Sequence, residues 1–125
     1  MKKRVLVVDD APTVRAQLVQ MLEKEFECIS AENGAIGLEK ALKENPDAVV
    51  ADLEMPEMDG ISLLRALRAD KRTQTVPVVI ATTVTSLDRV NECRTLGCNG
   101  FVLKPVQADY LIAKLRQLMT PAKGK

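Results

Sequence analysis

The sequence predicts an α/β domain built on a five-stranded parallel sheet, with helices on both faces. Two observations predict this class. Short runs rich in β-branched residues alternate along the 125-residue chain with longer segments of helical period, which is the pattern of successive βα units. The first, third and fourth runs are apolar on both faces, as interior parallel strands covered by helices must be. With right-handed crossovers, five strands favour the order 2-1-3-4-5.

The predicted strands are short, and the second is the weakest of them. In chain order they span residues 5–8, 28–31, 48–51, 76–81 and 101–103. Strands of this length that alternate with helices are typical of a doubly wound, flavodoxin-like (βα)5 domain. Such a domain has a switch point between the first and third strands, outside whose carboxyl ends ligands bind.

A helix is predicted after each strand. The first opens at Pro12, because proline is well tolerated in a first helical turn, and its apolar face extends to Leu22. The second lies between Asn33-Gly34 and Asn45-Pro46, since the residue before a proline avoids the helical conformation. The remaining helices are predicted at residues 61–69, 86–96 and 108–119. We expect Ser86 to cap the fourth helix and Gly97 to end it.

Composition excludes several classes of protein. The balance of 18 basic and 17 acidic residues gives no field that would attract nucleic acid or anionic lipid. Three cysteines without a CxxC pair, in a chain without histidine, make a structural zinc site or a disulfide framework improbable. No apolar run approaches the length of a membrane span, so we expect a cytoplasmic protein. Residues 1–120 are expected to form the domain and residues 121–125 a disordered tail.

Polar residues collect where the predicted strands end. Asp9 and Asp10 follow the first strand, Asp52 the third, Thr82 the fourth and Lys104 the fifth. Each of them alone has a simple explanation as a helix cap, a turn residue or a solvated side chain. Because parallel strands end on one rim of the sheet, however, we expect all five side chains to converge.

Convergence of three carboxylates requires a cation. The acids repel one another, and a single lysine offsets only part of their charge. Sparse carboxylate ligands with room for water and phosphate favour Mg²⁺, and no twelve-residue Ca²⁺ loop is present. A carboxylate cluster with Mg²⁺, a hydroxyl group and a lysine is suited to phosphoryl transfer.

The roles at this site follow from that chemistry. Asp52 is the predicted nucleophile, since aspartate forms acyl phosphates, and Asp9 and Asp10 are the predicted metal ligands. Lys104 and Mg²⁺ would neutralise the phosphoryl oxygens, and Thr82 would donate a hydrogen bond to one of them.

The loop after the third strand, "ADLEMPEMDG", carries three further acids beyond Asp52. Glu57 and Asp59 are expected to serve the loop itself. Gly60 is expected to supply a turn conformation before the third helix.

Four segments, "VLVVDD", "ADLEMPEMDG", "IATT" and "FVLKP", occur in this order and at characteristic intervals. Through them the chain resembles the receiver domain of two-component response regulators, of the single-domain, CheY-like kind. The resemblance covers residues 4–120. It implies a switch that accepts a phosphoryl group from a sensor histidine kinase or phosphotransfer protein and then controls a downstream target protein, with chemotaxis as one setting. Such a domain is not an enzyme, since it catalyses only its own phosphorylation and dephosphorylation.

The resemblance also assigns roles to individual residues. It implies Asp52 as phosphoacceptor, and Asp52 and the main-chain carbonyl of Glu54 as further Mg²⁺ ligands beside Asp9 and Asp10. It also implies a cis peptide bond between Lys104 and Pro105. Thr82 becomes the switch hydroxyl and Phe101 the switch aromatic, although an ordinary core aromatic is the alternative for Phe101. In this family their movement remodels the face formed by helix 4, strand 5 and helix 5.

Two positions bear on the lifetime of the phosphorylated form. Glu54 lies two residues after Asp52, and Val84 lies two residues after Thr82. In the family these positions flank the path of the hydrolytic water. An acid would repel or misplace that water and valine cannot hydrogen-bond it, so we expect a phosphorylated state of moderate to long lifetime. The alternative is that both residues are merely tolerated.

Other functions fit the sequence less well. A phosphatase of the haloacid dehalogenase type would have aspartate where Glu54 stands, together with a cap segment. A flavin carrier would have a phosphate loop after the first strand, and more than 2% aromatic residues. Within the family, a stand-alone regulator is favoured over a receiver excised from a longer protein with a DNA-binding or enzymatic output domain. We expect a monomer, with phosphorylation-dependent dimerisation left open.

Overall fold

Five parallel strands form one sheet in the order β2-β1-β3-β4-β5, which confirms the predicted order. The computed structural model describes residues 2–120, so the predicted tail at 121–125 lies outside the described residues. The strands are β1 (Arg4–Val8), β2 (Glu27–Ala31), β3 (Ala48–Ala51), β4 (Val78–Thr82) and β5 (Gly100–Leu103). The helices are α1 (Pro12–Leu22), α2 (Gly34–Glu44), α3 (Gly60–Ala69), α4 (Leu87–Thr95) and α5 (Ala108–Met119).

The sheet separates two hydrophobic layers. Successive side chains of β1 point to opposite faces, so Val5 and Val7 pack in one layer while Leu6 and Val8 pack in the other. Helices α1 and α5 cover the first layer, and α2, α3 and α4 cover the second. All four of these side chains are fully buried, which explains why the run is apolar without alternation.

Helix α2 begins and ends where the sequence predicts, and the structure shows how each end is held. The Asn33 side chain accepts a hydrogen bond from the Ile36 N–H at 2.8 Å and so caps the helix. Asn45 ends the helix in the left-handed conformation, with φ of 49°.

Two expectations around α4 and β4 need correction. Ser86 occupies the position before α4, but its side chain makes no capping hydrogen bond. Strand β4 begins at Val78 rather than residue 76, because the carbonyl of Pro77 accepts from the Val49 N–H at 2.9 Å while proline has no N–H to return. Gly97, with φ of 91°, follows α4 as predicted.

No helix among residues 2–120 is long and apolar enough to cross a membrane. The longest of them, α5, has 12 residues.

Candidate functional site

Strand register brings the predicted site residues together. Val8 of β1 pairs with Ala51 of β3, and the Asp52 N–H donates to the Val8 carbonyl at 3.1 Å, so Asp9 and Asp52 leave their strands side by side. On the other side of β3, the Lys104 N–H donates to the Thr82 carbonyl at 3.0 Å. The backbone ladder therefore continues past the strand ends and fixes where each side chain begins.

The ammonium group of Lys104 bridges two of the three carboxylates. Its Nζ donates to Asp9 Oδ2 at 2.6 Å and to Asp52 Oδ2 at 2.9 Å. The side chains of Lys104, Asp9 and Asp52 are only 13%, 1% and 12% exposed, so these ion pairs are largely shielded from water. Burial alone would lower the pKa of Lys104, but the hydrogen bonds to Asp52 and Asp9 outweigh it and raise that pKa above its usual value.

Backbone groups orient the same carboxylates. Asp9 Oδ1 accepts from the Ala11 N–H at 3.0 Å, and Asp52 Oδ1 accepts from the Leu53 N–H at 2.7 Å. Each carboxylate therefore presents one oxygen to the backbone and the other to Lys104, which fixes its orientation. Arg15 of α1 adds a hydrogen bond from Nη1 to the Asp9 main-chain carbonyl at 2.7 Å, and nothing in the sequence signalled this contact.

The acidic cluster fits a magnesium ion. Asp9, Asp10 and Asp52 each offer one carboxylate oxygen, and these oxygens lie within 4.8 Å of one another. Ligand oxygens at about 2.0–2.1 Å around an octahedral Mg²⁺ are separated by about 3–4 Å, so small side-chain movements suffice to complete the site. Asp10 is exposed, which leaves room for water ligands. The donor set is all oxygen, as Mg²⁺ prefers.

The loop between β3 and α3 is held differently from the sequence prediction. Gly60 does not adopt a positive φ; instead its backbone packs so closely that an added Cβ would lie 2.2 Å from the Asp52 carbonyl oxygen. The left-handed residue is Glu57, with φ of 67°. Asp59 caps α3 by accepting from the Ser62 N–H at 2.8 Å, in keeping with its predicted role in the loop.

The remaining predicted residues border this centre. Thr82 is fully buried, and its Oγ1 accepts a hydrogen bond from the Val84 N–H at 3.3 Å. Val84 and Phe101 are partly buried against the layer under α2, α3 and α4. Glu54 is exposed, and its N–H reaches Asp52 Oδ1 only at 3.4 Å. The peptide bond between Lys104 and Pro105 is cis, as predicted.

Sequence reasoning missed Arg89 of α4. Together with Asp10, Glu54 and Asp59, it lines a cavity of about 410 Å³ that opens beside the acidic cluster. A single arginine in an amphipathic helix carries no sequence signal, because most such residues are solvated.

Comparison with known proteins identifies the family. The family model for the response regulator receiver domain matches residues 5–116 of the sequence. The chain is 36% identical to protein PilH of Pseudomonas aeruginosa over 118 residues, covering 93% of this chain and 97% of PilH. It is 34% identical to the chemotaxis protein CheY of the same organism over 124 residues, covering 97% of this chain and 99% of CheY.

Solved structures agree with this assignment. Chemotaxis protein CheY4 of Vibrio cholerae superimposes with a TM-score of 0.89 at 28% identity, covering 94% of this chain and 99% of that one. CheY is itself a standard example of the strand order 2-1-3-4-5. The match between its strand order and the predicted one is therefore not independent evidence for the prediction. Domains of this family act as signalling switches rather than as conventional enzymes. The chain belongs to the response regulator receiver domain family.

Proposed function

We propose that this receiver domain is a phosphorylation-activated switch whose phosphoacceptor is Asp52, with a sensor histidine kinase or phosphotransfer protein as donor. The observation that supports it best is the ammonium of Lys104 held at 2.6 Å from Asp9 and 2.9 Å from Asp52. A lysine so placed neutralises charge on whatever anion forms at Asp52. We place the protein in the cytoplasm, together with these partners.

Phosphoryl transfer at this site needs little rearrangement. A carboxylate oxygen of Asp52 attacks phosphorus, the bond from phosphorus to the donor nitrogen breaks, and the imidazole of the donor leaves with that electron pair. Lys104 is within reach of the arriving phosphoryl oxygens. Mg²⁺, held by Asp9, Asp10, Asp52 and the main-chain carbonyl of Glu54, supplies further neutralisation of the phosphoryl charge when bound.

The proposed response to phosphorylation begins at Thr82. Its buried hydroxyl accepts from the Val84 N–H and therefore has a proton free to donate to a phosphoryl oxygen. Movement of Thr82 toward that oxygen would leave space behind it, into which Phe101 turns.

The target protein would then bind the surface formed by α4, β5 and α5. Large apolar side chains are exposed on all three of these elements, at Leu87, Leu103 and Tyr110. Remodelling of this surface alters what the partner can contact, which is how a charge at Asp52 would control a protein that never touches it.

Acetyl phosphate with Mg²⁺ tests the proposal. Intact-mass spectrometry should show one added phosphoryl group on the wild type and none on Asp52→Asn. The matched control is Asp109→Asn, which removes an exposed acid in the first turn of α5 and should be modified like the wild type. Phosphorylation of Asp52→Asn to the wild-type extent, or none on the wild type, would overturn the proposal.

The proposed function includes a prediction for the lifetime of the phosphorylated form. Glu54 is exposed beside Asp52 and Val84 is partly buried next to Thr82, as the hydrolysis hypothesis requires. The double variant Glu54→Gln/Val84→Asn should lose phosphate faster than the wild type, because both groups then hydrogen-bond the attacking water. An unchanged rate of phosphate loss removes this idea and leaves the phosphoacceptor assignment intact.

A further inference from the structure

Within residues 2–120, Arg89 forms no ion pair, although three acids line the same cavity. Its Nε is buried and finds no hydrogen-bond acceptor among residues 2–120, and the guanidinium takes part in none of the ion pairs of those residues. Yet it lines one cavity with Asp10, Glu54 and Asp59. A buried guanidinium N–H without an acceptor is costly, at about 1–3 kcal/mol, so a side-chain rotation that brings Nε to a ligand acceptor in the cavity would be favourable.

Its own helix does not neutralise Arg89. Glu92 is three residues further along α4, a spacing at which two side chains on a helix can pair. Its carboxylate instead lies 3.7 Å from the guanidinium of Arg65 in α3. Asp88 is adjacent in sequence and therefore points to a different side of the helix. Asp59 uses one carboxylate oxygen to cap α3. The positive charge of Arg89 is therefore not neutralised by an ion pair among residues 2–120 and is available to a ligand in the cavity.

With Mg²⁺ bound at the acidic cluster, the cavity would admit a small phosphodonor. The ion is needed because the lining carries three acids, Asp10, Glu54 and Asp59, against the one arginine. The cavity volume of about 410 Å³ falls in the range of small-molecule sites, and the cavity adjoins Leu53 and Glu54, the two residues that directly follow Asp52. The lining includes apolar side chains from Leu53, Met55 and Pro56 beside the charged ones. An anion that enters here would meet Arg89 on the α4 side, and its phosphoryl group would face the acidic cluster, where Mg²⁺ would offset the carboxylates.

We propose that Arg89 binds the acyl end of a small acyl phosphate and so determines which donors phosphorylate Asp52; this rests on the proposed function. In the transfer, a carboxylate oxygen of Asp52 bonds to phosphorus, the bridging P–O bond breaks, and its electron pair leaves on the carboxylate of the donor. That carboxylate becomes a full anion at the moment of transfer, and Arg89 stabilises it. With a phosphoramidate the P–N bond breaks and the protonated nitrogen leaves as neutral ammonia, so Arg89 contributes little.

The test compares the two donors at saturating Mg²⁺. Initial rates of phosphorylation by acetyl phosphate and by phosphoramidate are measured by intact mass, since the chain has no tryptophan to report the reaction by fluorescence. The variants are Arg89→Ala and the charge-conserving Arg89→Lys. Arg94→Ala is the matched control, because it removes the same charge from the same helix at an exposed residue that does not line this cavity.

We expect Arg89→Ala to lower the acetyl phosphate rate about 5- to 10-fold, the range of a partly shielded charge-assisted contact, and the phosphoramidate rate less than about twofold. Arg89→Lys should stay close to the wild type, and Arg94→Ala should match it. An equal loss with both donors would mean that Arg89 acts through Asp52 or the metal, and would overturn the proposal, as would no loss with either. If neither donor modifies the wild type, the phosphoacceptor function itself fails along with it.

A second measurement does not depend on transfer. Acetonylphosphonate replaces the bridging oxygen of acetyl phosphate by carbon, so it binds without reacting. On titration with it at saturating Mg²⁺, the condition of the transfer assay, the Nε–Hε resonance of Arg89 should shift in the NMR spectrum while that of Arg65 stays in place. An unmoved Arg89 resonance at concentrations that saturate phosphorylation by acetyl phosphate would contradict the contact.

Discussion

Replacing Asp10 by asparagine should stabilise the metal-free protein. Its carboxylate oxygen lies within 4.8 Å of oxygens of Asp9 and Asp52. Two unit charges at that separation repel by about 0.9 kcal/mol in water and about 3.5 kcal/mol at an effective dielectric constant of 20. Asp10 is exposed, so the lower figure applies to each neighbour, and its attraction to Lys104 offsets part of the sum. We therefore expect a gain of about 1 kcal/mol in the free energy of unfolding.

Magnesium should reverse this ranking. An ion that binds only the folded state stabilises it by about 2.7 kcal/mol at a concentration 100 times its dissociation constant. The wild type should show this gain and Asp10→Asn should lose most of it, because one ligand is missing. Urea unfolding followed by far-ultraviolet circular dichroism, with EDTA and with saturating Mg²⁺, measures both effects.

A charge change elsewhere on the surface provides the control for Asp10→Asn. Glu39→Gln removes an exposed acid from the middle of α2, in none of the ion pairs among residues 2–120, and should change the free energy of unfolding by less than about 0.5 kcal/mol. If Asp10→Asn is less stable than the wild type in EDTA, the predicted repulsion within the acidic cluster is contradicted. If Asp10→Asn gains as much stability from Mg²⁺ as the wild type does, the role of Asp10 as a metal ligand is contradicted.

Three further predictions concern the surroundings of the site. Gly60→Ala should lower the free energy of unfolding by about 3 kcal/mol in urea titrations and slow phosphorylation, because its Cβ would lie 2.2 Å from the Asp52 carbonyl oxygen; a neutral effect would contradict the close approach. Glu57→Asn should raise that free energy by about 0.5–1 kcal/mol, since asparagine tolerates a φ of 67° better than glutamate does, whereas Glu57→Ala should bring no gain. Burial, and then the charge of Glu23, raise the pKa of Cys28 to about 11. Near pH 8 its thiolate fraction is thus about 100-fold below that of a thiol whose pKa is 9.0. The higher nucleophilicity of the thiolate recovers about tenfold, so alkylation by iodoacetamide should be about tenfold slower than for a peptide cysteine and keep rising with pH toward about 11.

The sheet could be predicted because its signal is distributed over whole strands. Three strands without polar positions must lie inside a covered sheet, and that leaves few strand orders. Turn and cap details were less predictable, since they depend on contacts that form only after folding. Ser86 has the right chemistry for a cap, but its side chain makes no capping bond. The sequence predicts that position 60 needs glycine for a turn conformation, whereas the structure shows that it needs glycine for a close backbone approach. Both conditions select glycine, so the residue type alone does not distinguish them.

The acidic cluster was predictable for a similar reason. Once the strand order is known, the residues after β1, β3 and β5 must meet on one rim, and Asp9, Asp52 and Lys104 do. Arg89 could not be found in this way. It lies in the first turn of α4 and does not directly follow a strand. Its relation to the cavity depends on how α4 packs against the β3–α3 loop, which no periodicity in the sequence encodes.

Charge balance at the site limits how a switch built on it can work. Three carboxylates and one lysine leave a net charge of −2, since −3 + 1 = −2, which one divalent cation would neutralise. Phosphorylation replaces the single charge of Asp52 by about −1.5 to −2, so the change that the protein can sense is at most about one unit. A hydrogen bond from Thr82 to a charged oxygen contributes about 1.5–3 kcal/mol, enough to shift an equilibrium about 10- to 150-fold. Moving a two-state equilibrium from 1:99 to 99:1 takes about 5.5 kcal/mol, so Thr82 alone falls short. Complete switching therefore requires further differential contacts, and the proposed inward turn of the partly buried Phe101 is where they would arise.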